Sequence, residues 1–118
     1  MTIFYLYVKT HNRTGRKYLG HTIQNPILYE GSGVNWRKHL DEHGNDVSTT
    51  IVDTFNNNED LAVAGRYWSK TFDIVKSKKW ANSKIETGSG RSNKSLKNNY
   101  KQKYVNYLQE ASKRYHHS

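Results

Sequence analysis

The sequence contains no cysteine and a single proline. Without thiols the chain has no disulfide, no thiolate nucleophile and no cysteine-ligated zinc, and the cytoplasm is the expected location. The first ten residues, MTIFYLYVKT, lack the basic start and long apolar run of a secretory signal peptide. No stretch approaches the roughly 20 apolar residues that a transmembrane helix needs, so we expect no membrane partner.

Apolar and acidic residues are also scarce. Apolar residues make up 34% of the chain and the mean hydropathy is −0.99, which predicts one modest core with part of the chain outside it. Lysine and arginine number 19 against 10 acidic residues, giving a net charge of +9. Such an excess in a small domain is typical of proteins that bind polyanions, and nucleic acid is the expected partner. A basic protein without such a partner is the plainer alternative.

The first 22 residues predict a β-hairpin. Residues 3–9 are β-branched and aromatic, and residues 17–21 can return as a second strand after a polar turn that contains Gly15. Because side chains alternate along a strand, the two faces of the first strand are expected to hold Phe4, Leu6 and Val8 on one side and Tyr5, Tyr7 and Lys9 on the other.

The turn geometry predicts that Tyr7 and Tyr18 share one face of this hairpin. A tight turn near Asn12 and Arg13 would place the two tyrosines opposite each other. A shift of the pairing by two residues would keep them on one face, and a shift by one would separate them. We therefore expect both hydroxyls beside Lys9, on a face that is open for chemistry, with the opposite face packed inward.

Two helices and a third strand are expected downstream. Residues 34–43 predict a helix that ends at Gly44, and residues 47–54 predict a strand. A second helix is expected to start from a cap within residues 56–58. Its apolar stripe at helical spacing would contain Leu61, Ala64, Trp68 and Phe72.

The C-terminal part differs in composition from the rest. Residues 87–93, TGSGRSN, favour a linker, and the segment that follows is rich in lysine, asparagine and tyrosine. This tail either docks on the domain through its tyrosines or lies along phosphates as a basic arm. The candidate phosphate contacts of the hairpin and tail are Lys9, Arg16, Lys17, Lys97, Lys101 and Lys103.

The triplets Tyr5-Leu6-Tyr7 and Tyr18-Leu19-Gly20, in this strand and helix order, resemble the GIY-YIG nuclease superfamily. The segment from Tyr29 to Gly33, with Trp36, His39 and His43-Gly44, looks like the small phage-borne, homing-endonuclease-like members. The resemblance implies an α+β fold with a small three-stranded antiparallel sheet flanked by helices, in agreement with the pattern above. It gives a nuclease-like domain at residues 1–90 and a basic, C-terminal helical tail at residues 91–118.

The resemblance implies hydrolysis of phosphodiester bonds in double-stranded DNA, with one Mg²⁺ or Mn²⁺ ion per active site. It makes Tyr7 the general base or the residue that orients water, and Tyr18 the second hydroxyl. A free tyrosine has a pKa near ~10, so Tyr7 would need cationic help, from Lys9 or from a metal-bound water. His39 would donate to the phosphate or to the leaving oxygen, and Asn82 matches a family asparagine near the active site.

In the triplets, Tyr5 and Leu6 replace the family's glycine and isoleucine, and Leu19 replaces its second isoleucine. Two further departures concern functional positions. The position of the family's helical arginine holds Asn35. Lys38 shares the helix face of Asn35, whereas the guanidinium of Arg37 is better suited to bind two phosphate oxygens. The position of the metal-binding glutamate, three residues before Trp68, holds Gly65. Glu86 is the candidate replacement as metal ligand. The acids that remain as alternatives are Glu30, Asp53, Glu59 and Asp60.

These departures leave other functions open. A non-catalytic DNA-binding protein derived from the same fold is the main alternative, because Asn35 and Gly65 replace catalytic groups of the family. An RNA-binding module is a third hypothesis, since the tail tyrosines could stack on single-stranded bases. One active site cuts one strand, so double-strand cleavage would need a homodimer or two successive visits.

Overall fold

The computed structural model describes residues 2–82, 85, 86 and 109. The secondary structure elements of this part are β1 (Phe4–His11), β2 (Lys17–Thr22), α1 (Val34–His43), β3 (Val47–Phe55) and α2 (Asn58–Thr71). The strands form an antiparallel sheet in the order β2-β1-β3. The predicted α+β fold is confirmed. The linker at residues 87–93 and the tail lysines Lys97, Lys101 and Lys103 lie outside the described residues.

The pairing of β1 with β2 is shifted by two residues from the predicted one. Tyr7 lies opposite Gly20, and Lys9 lies opposite Tyr18. The turn is closed by a hydrogen bond from the Gly15 N–H to the His11 carbonyl, and Gly15 adopts a φ of +76° that glycine tolerates without strain. Because the shift is two residues, both tyrosines stay on one face of the sheet, as predicted.

Both faces of the sheet are covered, one by each helix. Helix α2 buries one face, where Leu6 and Leu19 pack with Leu61 and Trp68. Helix α1 covers the other face through Trp36, which packs with Tyr7 and Tyr18. The prediction that the tyrosine face is open was wrong, because α1 and the loop before it fold over that face.

Helix α1 has the bounds that the sequence predicted, and α2 begins from a cap within the predicted residues 56–58. Asn57 caps α2 by accepting a hydrogen bond from the Asp60 backbone N–H at 2.8 Å. Helix α1 ends at Gly44, whose N–H donates to the Leu40 carbonyl at 2.7 Å. Within the described part of the chain, neither helix has the length and apolar character to cross a membrane.

Residues 79–82 run along the outer edge of β2. The Lys17 N–H donates to the Lys79 carbonyl, and the Ala81 N–H donates to the Lys17 carbonyl. Asn82 continues this pairing with its side chain, because its Oδ1 accepts from the Leu19 N–H at 3.0 Å and its Nδ2 donates to the Leu19 carbonyl at 2.8 Å. The segment thereby covers part of an edge strand. These bonds use both polar atoms of the Asn82 side chain to hold the second triplet, and the catalytic role of Asn82 stays a prediction.

We expect Asn82→Ala to lower the free energy of unfolding by about 1–3 kcal/mol, because the Leu19 N–H and carbonyl would lose their partners in a partly buried place. Urea unfolding measures this difference. The control is Asn45→Ala at an exposed position, which should change the free energy of unfolding by less than about 0.5 kcal/mol. Equal effects of the two substitutions would contradict the proposed pairing.

Candidate active site

Tyr7 on β1 and Tyr18 on β2 pack side by side. Their ring centroids are 6.4 Å apart and their planes are tilted by 49°. Gly20 makes this packing possible, because a Cβ at this position would lie 2.5 Å from the Tyr7 hydroxyl oxygen and 2.7 Å from the Tyr18 ring. The glycine that ends the second triplet is therefore required by the close approach of both phenols.

Tyr18 lies between Trp36 and the start of α1. Its ring stacks on Trp36 with centroids 5.7 Å apart and planes within 11°. Burial, with a further contribution from the charge of Glu86, raises the pKa of Tyr18, while hydrogen bonds from the Ser32 side chain and the Gly33 backbone lower it in part. The Gly31-Ser32-Gly33 segment thus packs around the second phenol.

Tyr7 is the more deeply buried phenol, with only 1% of its surface exposed. Burial raises the pKa of Tyr7 far above its ordinary value, and the neighbouring Tyr18, Tyr29 and Glu86 raise it further. The ring of Tyr29 lies 6.4 Å from that of Tyr7, edge to face. In this environment Tyr7 is a neutral phenol that can donate a hydrogen bond, and it does not ionise readily.

Lys9 is buried beside Tyr7. Its side chain is only 3% exposed, and its Nζ donates to the Pro26 carbonyl and to Thr49 Oγ1, both at 2.8 Å. The prediction of a phosphate contact was wrong, because these bonds hold the ammonium inside the protein between β3 and the loop before α1. The ammonium lies 5.1 Å from the centroid of the Tyr7 ring, and burial lowers the pKa of Lys9. Its help to Tyr7 ionisation stays a prediction.

Glu86 fills the space that Gly65 leaves on α2. A Cβ at position 65 would lie 2.5 Å from the backbone oxygen of Glu86 and 3.2 Å from its Cγ. The Glu86 N–H donates to Ser69 Oγ at 2.7 Å, one helical turn further along α2. The absence of a side chain at Gly65 is therefore what allows Glu86 to pack against the helix at the position where the family pattern has its glutamate.

Burial is the main cause of the raised pKa of Tyr7 and of Tyr18, and the Glu86 carboxylate lies close enough to both phenols for its charge to raise each pKa further. The Glu86 side chain is 12% exposed, and His21 Nδ1 donates to its Oε1 at 2.6 Å. The sequence reasoning did not identify His21 as a site residue. Its partner is 65 positions away in the chain, and no spacing pattern connects them.

The donor set of Tyr7, Tyr18 and Glu86 fits one kind of metal site. Among residues 2–82 and 85–86, no group of three or more histidine, aspartate or glutamate side chains is arranged to hold a metal ion. Mg²⁺ is commonly bound through one or two carboxylates, with water and substrate phosphate completing its six ligands. A single carboxylate at Glu86 fits an ion held jointly by protein and substrate, and it does not fit a preformed protein cage.

The three candidates on α1 lie apart from the phenols. Arg37 is exposed, and its Nη1 donates to the Gly31 carbonyl at 3.1 Å; Lys38 is exposed as well. His39 stacks on Trp36 at a centroid distance of 6.1 Å. Since Trp36 also stacks on Tyr18, its indole separates His39 from that phenol.

His39 belongs to a cluster of histidines at the turn of the hairpin. Its ring centroid lies 5.2 Å from that of His11 and 4.4 Å from that of His43. His11 is fully buried, and its Nδ1 accepts from the backbone N–H groups of Arg13 and Thr14. With Nδ1 as the acceptor, the Nε2–H is left to donate to the Gly44 carbonyl at 3.1 Å.

Arg16 and Lys17, the other two candidate phosphate contacts of the hairpin, are half-buried near this turn. Lys17 Nζ donates to Thr10 Oγ1 on the neighbouring strand at 3.0 Å. Arg16 lies close enough to His39 for its charge to lower the pKa of that histidine. Both side chains retain hydrogen-bond donors for a phosphate contact, which stays a prediction.

No protein-family model, no curated protein and no solved structure matches this chain.

We expect the histidine cluster to make folding stability sensitive to acid. Burial, His43, His11 and Arg16 lower the pKa of His39 below its ordinary 6.5, while Glu42 opposes them. A group whose pKa is depressed by folding stabilises the fold fully only above its unfolded pKa, and this stability is lost as the pH falls. The free energy of unfolding should therefore decline as the pH falls from about 7 to about 5, and less steeply in His39→Gln.

Urea unfolding over this pH range measures both slopes. Lys38→Gln, at the exposed neighbouring position, should keep the slope of the unsubstituted protein. The same slope in His39→Gln would show that the cluster is not the source of the acid sensitivity.

Proposed function

We propose that this protein is a metal-dependent DNA endonuclease of the GIY-YIG type. One observation carries the proposal: Tyr7, Tyr18 and Glu86, distant in sequence, form one electrostatic cluster, with Glu86 packed against Gly65. Gly65 is the position at which the GIY-YIG pattern has its glutamate, and Glu86 packs against it. A cluster of two phenols and a carboxylate suits phosphodiester hydrolysis, which needs a positioned water and groups that stabilise charge on the phosphate.

Each residue of the cluster has a role that follows from its environment. Because burial raises the pKa of Tyr7, its phenol would donate a hydrogen bond to the attacking water or to a phosphate oxygen, and it would not act as the base unaided. Tyr18, fixed by Trp36 and the start of α1, would supply a second hydroxyl. A magnesium ion bound at Glu86 would supply Lewis acidity and neutralise phosphate charge. His21 would orient the carboxylate.

Arg37 is the better placed of the two exposed cations on α1. Its guanidinium bonds to Gly31, in the segment that packs around Tyr18. A phosphate approaching Tyr18 from the solvent side would meet this guanidinium, whose remaining donors can bind two oxygens together. Lys38 would contribute charge from the surface.

The charge distribution supports DNA binding through the C-terminal part. Residues 87–118 contain seven lysine and arginine residues and one glutamate, so they carry +6 of the net charge of +9. Residues 1–86 carry the remaining +3. Electrostatic attraction to phosphates should therefore come mainly from residues 87–118.

A non-catalytic DNA-binding protein is the second candidate. The observation that favours it is the deep burial of Tyr7, together with its raised pKa. A phenol that is neither exposed nor ionised performs no chemistry unless substrate binding opens the site.

We expect Tyr7→Phe and Glu86→Gln each to lower the rate of magnesium-dependent plasmid nicking by about two orders of magnitude or more, with DNA affinity nearly unchanged. The controls are Tyr5→Phe in the same triplet and Glu42→Gln at an exposed position; both should nick at the unsubstituted rate. Nicking activity is followed on supercoiled DNA, and affinity on a labelled duplex. If the unsubstituted protein binds DNA but nicks none across several divalent metals and pH values, the second candidate function replaces the first.

We expect the triple substitution of Lys97, Lys101 and Lys103 to glutamine to weaken duplex binding and to flatten its salt dependence. Each lost phosphate contact should reduce the slope of log affinity against log salt by about 0.9. A matched control removes the same charge elsewhere, at the exposed residues Lys70, Lys76 and Lys78. Identical slopes for the two triple variants would mean that total charge matters and that the tail makes no specific phosphate contact.

A further inference from the structure

A concave surface lies on the face of the sheet opposite Tyr7 and Tyr18. It is a groove of about 450 Å³ between the strands and the end of α2. The strands contribute Val8 and Val52, and the other side is formed by Trp68, Phe72 and Trp80. The site proposed for DNA cleavage contains none of these residues.

The groove exists because the helix is shorter than the sheet it covers. Helix α2 ends at Thr71, and the chain turns away at Asp73, which has a φ of +53°. The helix therefore buries Leu6, while the strands continue beyond its end as far as Thr10 and the exposed Thr50. The largely apolar surface left uncovered at this end lines the groove.

Three aromatic rings form a continuous stack along one side of the groove. Phe72 stacks on Trp68 with centroids 5.2 Å apart and planes within 25°. It also stacks on Trp80 with centroids 5.0 Å apart and planes within 16°. Trp68 and Trp80 are 4% and 8% exposed and Phe72 is half-buried, so Phe72 offers the most accessible ring of the stack. An accessible aromatic ring favours packing against a further planar group.

The polar side chains of the groove are positively charged or neutral. Lys17 and Lys79 line it together with Thr10 and Thr50, and no lining residue is acidic. Lys17 gives one hydrogen bond to Thr10, which leaves two N–H groups of its ammonium for a ligand. Lys79 is exposed. The groove therefore complements a ligand that has a planar apolar part and a negative charge.

We propose that this groove binds one nucleotide of a single-stranded nucleic acid, with the base against the aromatic stack and the phosphate near Lys17 and Lys79. Aromatic side chains beside a cationic groove are the usual means of binding single strands without sequence preference, because every base has a planar face. The net charge of +9 attracts such a ligand. The proposal does not depend on cleavage at Tyr7, because the groove is on the other face of the sheet.

The test is a titration of the full-length protein with the oligonucleotide dT8, followed by NMR of the tryptophan indole N–H groups. Trp68 and Trp80 line the groove, whereas Trp36 lies on the opposite face with its Nε1 bonded to the Glu30 carbonyl. The signals of Trp68 and Trp80 should shift and that of Trp36 should not. An abasic oligomer of the same length and charge should bind at least about fivefold more weakly, because stacking on the rings is lost.

Variants with matched controls locate the binding. Thr50→Phe should fill the groove and reduce dT8 affinity to that of the abasic oligomer, whereas Thr54→Phe, exposed on the same strand, should not. Lys79→Gln should weaken binding about two- to fivefold and reduce the salt slope, and Lys78→Gln should do neither. The Tyr7→Phe variant should bind dT8 as the unsubstituted protein does.

Several results would overturn the proposal. One is equal affinity for dT8 and the abasic oligomer, with no shift at Trp68 or Trp80. Another is unchanged dT8 binding in Thr50→Phe. A third is stronger binding, at the same two tryptophans, of an acidic peptide that carries one aromatic residue, since the groove would then be a protein-docking site.

Discussion

The pairing of residues 79–82 with the outer edge of β2 decides where the carboxylate of the candidate site lies. Two backbone hydrogen bonds with Lys17 and two between the Asn82 amide and the Leu19 backbone hold the segment parallel to the strand. Glu86 lies four residues further along the chain, beside His21. The pairing works together with the Ser69 hydroxyl and His21, which hold Glu86 next to Gly65 and give the phenols an acidic neighbour there.

The packing that aligns the two tyrosines also limits their chemistry. Gly20 and Gly33 allow the Tyr18 ring to approach its neighbours closely, and Trp36 covers it. The same burial removes water from Tyr7 and raises its pKa, so precise positioning is obtained with a phenol that resists ionisation. In such a site the tyrosines suit hydrogen-bond donation, and the charge needed for hydrolysis has to come from groups nearer to solvent.

The sequence was sufficient for the features that depend on local pattern. The shared face of Tyr7 and Tyr18 was predicted although the register was not, because a two-residue shift preserves the face of every side chain. The bounds of α1 followed from Gly44, and the cap of α2 from the asparagines before it. These are properties of neighbouring residues, which a single sequence contains.

The features that failed or were missed depend on contacts between distant segments. Alternation along β1 does not tell whether one helix or two cover the sheet, so the burial of Lys9 was not foreseen. The pair formed by His21 and Glu86 joins residues 65 positions apart, and the loop over the phenols brings Tyr29 to Tyr7. The choice of Glu86 depended on Gly65, which replaces the glutamate of the family pattern, and on Asn82, whose match to a family asparagine made the acid that follows it the candidate.

The covering of the sheet on both sides has a consequence for how this domain tolerates change. Along β1, even-numbered residues such as Leu6 pack under α2 and odd-numbered residues such as Tyr7 pack under α1; on β2 the parity is reversed, with Leu19 under α2 and Tyr18 under α1. Substitutions in one layer can therefore accumulate without disturbing the other. Insertion or deletion of one residue within either strand would exchange the two layers and send aliphatic side chains into the phenol cluster. Side chains can therefore be substituted within one layer, whereas the number of residues in β1 and in β2 has to stay constant.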